Sequence, residues 1–454
     1  MGTYLDTMTY EYSQWIELYN DGDVAVDLKG YTIGYQESEE KSVKTHTIDH
    51  HCPIAPKTYQ LFFFGKSSSK ERHAGYKLDP DGGKMVLTNA DGVTEDELNL
   101  PAQRTFASYG RWGDKTGYME PTPGTANSQA YVATDLEALK ATAQCDKPDF
   151  SQKAGVYADQ DSLTIEISSK TPNASIYYTT DGSTPTAESG TPYTSPIGIT
   201  ATTVLKARAY SDSLISSPIR TASYILNDAR HDKCQGVGIL PIVSISTDRA
   251  NFEDDTYGIA VEGTNGISGA CNNFGNFNHD WRRPVTFEYI VNGESELNQE
   301  VEVEMMGGCS RAYEMKSISL NSSKKCGSGK KKLKYAFFSD KPDNTKYKSL
   351  YLRNGGNGNA RLMFRDGFMQ SLIHGENIDY QSSQPVGYYI NGEYQGMMML
   401  CEHTTAGYVY SNYGLDEDEI DLIKLNNGFD VKEGSLDAYN HMVEEAQTGQ
   451  NEPG

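Results

Sequence analysis

The chain has 454 residues, which sets a prior of about three domains, and its 40 basic against 62 acidic residues leave a formal net charge of −22. That balance disfavours a chain-wide attraction to nucleic acid or to an anionic membrane surface, so any phosphate site has to be local. Hydrophobic residues make up 37%, with 31 Tyr among them, against 43 Gly, a mixture that favours short strands and many turns over long helices.

No apolar run approaches the ~18 residues that span a bilayer, and the opening MGTYLDTMTYEYSQW has neither a basic n-region nor an apolar h-region. Asp6 also disqualifies the Met-Gly opening as a myristoylation signal. Cysteines at 52, 145, 234, 271, 309, 326 and 401 are too scattered for a disulfide framework or a zinc ribbon; Cys309 could pair with Cys326, or Cys234 with Cys271.

Residues 1–130 read as strand broken by turn: Trp15 to Tyr19 before Asn20-Asp21-Gly22, Leu61 to Phe64 before Gly65, Met85 to Leu87 before Asn89-Ala90-Asp91-Gly92. Such spacing predicts a β-sandwich. The block resembles the lamin-tail domain, an immunoglobulin-like sandwich, through WIELYNDGDVAVDLKGY (15–31), LDPDGGKMVLTNADG (78–92), ASYGRWGD (107–114) and Pro121 to Asn127. The family's opening strand is not recognisable, which implies an N-terminus inside a domain. His46, Asp49, His50, His51 and Cys52 cluster here without a zinc spacing and read as a polar loop.

Residues 131–149 form a connector in which Asp135 to Ala141 predicts about two helical turns. In 150–227, Leu163, Ile165 and Ile167 alternate with polar neighbours, Ile176 to Thr180 runs into Asp181-Gly182-Ser183, and Val204 to Tyr210 supplies a later strand. YYTTDGSTPT, TVLKARAY and Ser223-Tyr224 resemble the C-terminal module of chitobiase and hexosaminidase enzymes, a fibronectin-type-III-like sandwich. The resemblance implies an accessory role, with cell-surface glycan as a candidate partner, and transfers no catalytic residue.

Residues 235–454 change to mixed α/β text. VEVEM at 301–305 predicts a half-buried strand, 312–320 a second one, and Val386, Tyr388 and Ile390 lead into Asn391-Gly392, a strong hairpin signal, before Tyr394, Met398 and Leu400. Leu362, Phe364, Phe368, Met369, Leu372 and Ile373 predict one apolar face of a four-turn helix. The fold class is therefore multidomain: two β-sandwiches, then an α+β lobe with a cleft.

This block resembles the spore-coat-protein-H (CotH) kinase family. The carrying residues are Leu240 to Ile245, Asp280 to Pro284, Gly307 to Arg311 with Lys316-Ser317, Leu352 to Asn357, Arg365-Asp366, Asn391 to Gly396 and Ile420 to Ile423, in order over more than 200 residues. The resemblance implies an atypical secreted kinase that uses ATP and Mg²⁺ to phosphorylate protein hydroxyls. Phosphoryl transfer needs cations for the triphosphate and carboxylates for the metal. On the predicted strand, Lys316 shares a face with Ile318 and Leu320, where an unpaired ammonium is costly. Glu402 follows Met398 and Leu400 in the same way, although Cys401 stands where the family commonly has Arg. Lys316 and Glu402 are expected to meet at the cleft as catalytic residues, and Arg311, Lys316, Arg353 and Asn354 to hold ATP. The structural alternatives are a snorkelling lysine, a strand-end arginine and an ordinary Gly-rich turn.

Six lysines and no acid occupy 322–334, a basic loop that could attract ATP or an acidic substrate, or form a solvated hairpin tip; Asp416 to Glu419 is the acidic counterpart. No HExxH, GxSxG, Walker-type motif or glycosidase carboxylate pair occurs. The resemblance places the Mg²⁺-binding Asp-x-Asp beyond the matched stretch, so no metal ligand is assigned. The isolated chain is expected to be inert and its longer parent an extracytoplasmic kinase. The alternative is a non-catalytic surface scaffold.

Overall fold

A computed structural model of the chain describes residues 4–448, apart from 66–69, 105–106, 128–132, 140–142, 159, 227–239, 324–329, 359–360, 417–418 and 426–427. It is mostly β, as the turn-punctuated sequence requires.

In the first block, Gln14–Tyr19, Tyr59–Phe64 and His73–Ala74 form one sheet, and Thr94–Leu100, Gly83–Thr88, Thr32–Gln36 and Lys44–Thr47 another. Together they enclose Leu28, Ile33, Tyr35, Ile48, Phe62, Phe64 and Met85. The connector holds one helical turn, Leu136–Ala138, capped by the Asp135 carboxylate, which accepts from Ala138 N at 2.7 Å; the rest of the predicted helix lies mainly outside the described residues. In the second block the alternation at 163–167 is realised, with Leu163, Ile165 and Ile167 all buried against Leu205, Ala207 and Tyr224.

Seven strands of the third block build its main sheet: β1 (Ile242–Ser246), β2 (Arg282–Val291), β3 (Glu294–Met306), β4 (Ser317–Asn321), β5 (Ser349–Arg353), β6 (Ser383–Ile390) and β7 (Glu393–Glu402). Pairing runs β1-β2-β3-β4-β5-β7-β6 and returns from β6 to β1, so the sheet closes into a barrel. All contacts are antiparallel except β6 with β1, and β3 carries the ring onward because Glu302, Val303 and Glu304 pair with β2 on one side and β4 on the other, while Met305 and Met306 continue the pairing with β4.

Period-two alternation decides what fills the barrel. Val243 and Ile245, Phe287 and Tyr289, Val301, Val303 and Met305, Ile318 and Leu320, Leu350 and Leu352, Val386 and Tyr388, and Met398 and Leu400 form one buried cluster. Glu302 and Glu304 alternate outward and pair with Arg282, at 3.7 and 2.9 Å. The hairpin between β6 and β7 turns on Asn391 and Gly392, both at positive φ (49° and 83°), as a type I′ turn requires.

The second sandwich packs on the outer wall through polar contacts: Ser223 N donates to Glu288 (2.8 Å) and the Ser223 and Ser244 hydroxyls meet at 2.9 Å. From the first block, Tyr12 donates to Asn251 (2.9 Å) and Tyr10 meets Trp281 edge-on.

The predicted four-turn helix is shorter, and its apolar face is not the one that packs. Helix α1 (Arg365–Ser371) lays Asp366 and Gly367 against the barrel wall, where a Cβ on Gly367 would come within 2.4 Å of Ser383 Oγ. Its apolar stripe faces outward, with Phe368 53% and Leu372 59% exposed. The wall at this point offers Arg353, which ion-pairs with Asp366, so charge and close approach select the polar face.

These burials predict that Leu352→Ala costs about 2–5 kcal/mol in urea unfolding followed by circular dichroism. Phe368→Ala should stay within about 0.5 kcal/mol of the parent.

Candidate functional site

The barrel has two ends, each plugged by different chain segments. At the end where β2 begins, Phe252, Ile259, Phe277 and Trp281 close the interior; at the other, Leu333, Phe337, Phe338 and Tyr347 do so.

At the first end, Cys271 and Cys309 form a disulfide, Cα to Cα 5.2 Å, across 38 residues. It crosses the two pairings considered from sequence; Cys234 and Cys326 lie outside the described residues. Cys271 and Asn272 both sit at φ 58°, an unfavourable region for non-glycine residues that the cross-link and the Asn273 Nδ2 bond to Gly308 O (3.3 Å) hold in place. Gly307, at φ +105°, turns the chain where a Cβ would meet Ser310 Oγ at 2.6 Å.

The following turn carries Arg311, whose Nη1 donates to Phe277 O (3.0 Å) and whose Nε is buried with no hydrogen-bond partner. The predicted strand 312–320 begins only at Ser317, so Lys316 sits on the approach to β4. Its Nζ donates to Tyr313 O (2.7 Å) and lies 4.7 Å from the centre of the Phe277 ring. Burial lowers its pKa below the usual lysine value, with Glu262 acting in the opposite sense. Among the described residues, neither Arg311 nor Lys316 has a carboxylate within ion-pair distance.

Asn354, fully buried, is occupied in building its turn: it accepts from Ser317 Oγ and Gly356 N (both 2.9 Å) and donates to Met315 O (2.7 Å). Arg353 points to the outer wall and pairs with Asp366.

Glu402 does not meet Lys316. Register places Leu320, Leu350 and Glu402 in one row. Lys316 is four residues along from that row and two strands across, about 13 Å by about 10 Å. The two residues therefore serve opposite barrel ends.

Glu402, 1% exposed, pairs instead with Lys341 (2.6 Å) and accepts from Ser382 N and Asn412 Nδ2, both at 3.0 Å. Lys341 also donates to Tyr380 O (3.0 Å) and lies 4.3 and 5.0 Å from the Tyr380 and Tyr408 ring centres. This shell satisfies a buried charge pair on every side. Sequence reasoning missed Lys341, which sits in a loop (FSDKPDN) without periodicity; the one signal was a glutamate ending an apolar strand, which needed some cation. Cys401 faces away from this shell, and burial pushes its thiol up to about 12.

The histidines at 46–51 do not converge. His51 pairs with Asp27 (2.8 Å), His50 with Asp49 (3.3 Å), and His46 packs by Phe62. Among the described residues, no three His, Cys, Asp or Glu side chains form a group that could hold a metal. Asp416 and Glu419 close a local turn, Asp416 N donating to Glu419 at 2.7 Å.

Against known families, residues 303–453 match the model described as CotH kinase protein, and residues 152–221 match the chitobiase/beta-hexosaminidase C-terminal domain. The first match begins inside β3 and covers Arg311, Lys316, Lys341, Arg353, Asn354 and Glu402. No curated protein matches the chain.

Two stability outcomes follow. Lys341→Met leaves Glu402 buried and unpaired and should cost about 3–5 kcal/mol, part of which Glu402→Leu in the same chain should restore, read from urea midpoints. Replacing Cys271 and Cys309 together by Ser should cost about 2–4 kcal/mol, with the parent losing the same amount under reductant.

Proposed function

We propose that this CotH-type chain belongs to an extracytoplasmic protein kinase, transferring phosphate from ATP to protein hydroxyls, and that Arg311 and Lys316 hold the ATP phosphates. One observation carries the assignment: two cations, five residues apart, both rest on Phe277, one on its carbonyl and one on its ring, without a carboxylate partner among the described residues. A half-buried ammonium in that state gains when an anion arrives. Lys316 spends one N–H on Tyr313 and keeps two for a ligand.

The described residues thus fit a polyphosphate. Among the described residues no three His, Cys, Asp or Glu side chains form a cage for Mg²⁺, and no step is assigned to the metal. Glu402 with Lys341 serves as the anchor of the opposite barrel end. The Cys271–Cys309 disulfide supports an oxidising, extracytoplasmic compartment.

Binding tests this reading better than turnover. In calorimetric titration with ATP, Lys316→Ala and Arg311→Ala should each lower affinity at least tenfold, equivalent to about 1.4 kcal/mol, while Lys316→Arg retains most of it. Unchanged affinity in both alanine variants would overturn the assignment.

A further inference from the structure

The lysine-rich segment takes a definite form where it is described. Leu333–Lys334 and Lys346–Tyr347 make a short antiparallel ribbon in which Leu333 faces Tyr347 and Lys334 faces Lys346. Leu333 and Tyr347 are buried in the barrel plug. Their neighbours alternate to the other side, so Lys334 and Lys346 point outward as a cross-strand pair, and Lys332 and Lys348 form the next row. Both of these reach the same aromatic ring on α2 (Ala406–Tyr413): Lys332 Nζ lies 3.3 Å and Lys348 Nζ 5.7 Å from the centre of Tyr410.

Four ammonium groups thus occupy a two-by-two array. Like charges directly opposite each other destabilise a ribbon, and among the described residues Lys332, Lys334 and Lys346 have no carboxylate within ion-pair distance. Among the described residues, the Asp416 carboxylate acts on Tyr410 in the sense opposite to Lys332 and Lys346. In a chain of net charge −22, such a concentration of lysine on a fixed ribbon is a local inversion of the protein's field.

We infer that this array is a docking surface for an extended acidic peptide. Alternate residues of a strand repeat every ~6.7 Å, the interval from Lys332 to Lys334 and from Lys346 to Lys348. An extended peptide with a carboxylate at every second residue repeats at the same interval, so two successive carboxylates meet two successive lysine rows. Tyr410 holds the Lys332 and Lys348 ammonium groups beside one ring and so fixes that row. A short acidic segment needs only this local field, whereas a long polyanion such as nucleic acid would also meet the acidic body. The inference rests on the ribbon and does not depend on ATP binding.

Fluorescence anisotropy with a labelled ten-residue peptide of alternating Glu and Ser tests it. The parent chain should bind, with affinity falling as salt rises. Lys334→Glu with Lys346→Glu should weaken binding more than tenfold, whereas Lys29→Glu with Lys41→Glu, exposed on the first sandwich, should change it less than twofold. A peptide of the same composition with its glutamates in one block should bind at least threefold more weakly. Lys346→Glu alone, which sets opposite charges side by side, should melt no lower than the parent, confirming that lost binding is not lost folding. Equal binding by the Lys334/Lys346 variant would overturn the site. Equal displacement of the peptide by a thymidine oligonucleotide or by anionic vesicles would overturn the acidic-peptide assignment.

Discussion

Closure of the seven-stranded sheet is the constraint from which the rest of the third block follows. β3 is long enough to pair with β2 from Glu294 to Glu304 and with β4 over its last five residues, and that double pairing, together with the β6–β1 contact, removes the free edges. Once the ring is closed, one face of every strand has no choice but the interior, which is why aliphatic, methionine or aromatic side chains recur at alternate positions on all seven strands. Closure also creates two ends, and chemistry collects there because the wall is spent on packing.

The two ends solve the problem of buried charge differently. At one, Lys341 and Glu402 neutralise each other inside a shell of amide, carbonyl and aromatic groups, so the charge is fully compensated by the protein. At the other, Arg311 and Lys316 are steadied by carbonyls and by the Phe277 ring alone, on a turn fixed by the disulfide and by backbone conformations that the cross-link holds. The first end is complete as it stands; the second is cationic and carries unused donors. This asymmetry, more than the presence of any one lysine, separates a structural pair from a candidate ligand site.

Much of this was legible in the residues. The VEVEM alternation gave β3 its inward and outward faces, Asn391-Gly392 gave the β6–β7 hairpin, and Leu163, Ile165 and Ile167 gave a buried strand, because each is a local pattern with a local cause. The apolar periodicity at 362–373 was also real, yet it did not say which face packs: Asp366 and the small Gly367 meet the wall and Phe368 does not. Periodicity states that a helix has two faces, and the neighbour decides which one is inside.

The amino-acid sequence by itself determined the strands, the turns, the acidic balance and the positions of the lysines. Tertiary structure alone decided the partners: that Glu402 takes Lys341 and not Lys316, that Cys271 takes Cys309, and that Lys334 stands opposite Lys346. Strand identity is written in neighbouring residues through the period of the backbone. Partnership depends on which distant strands close the ring, and that is a property of the packed whole.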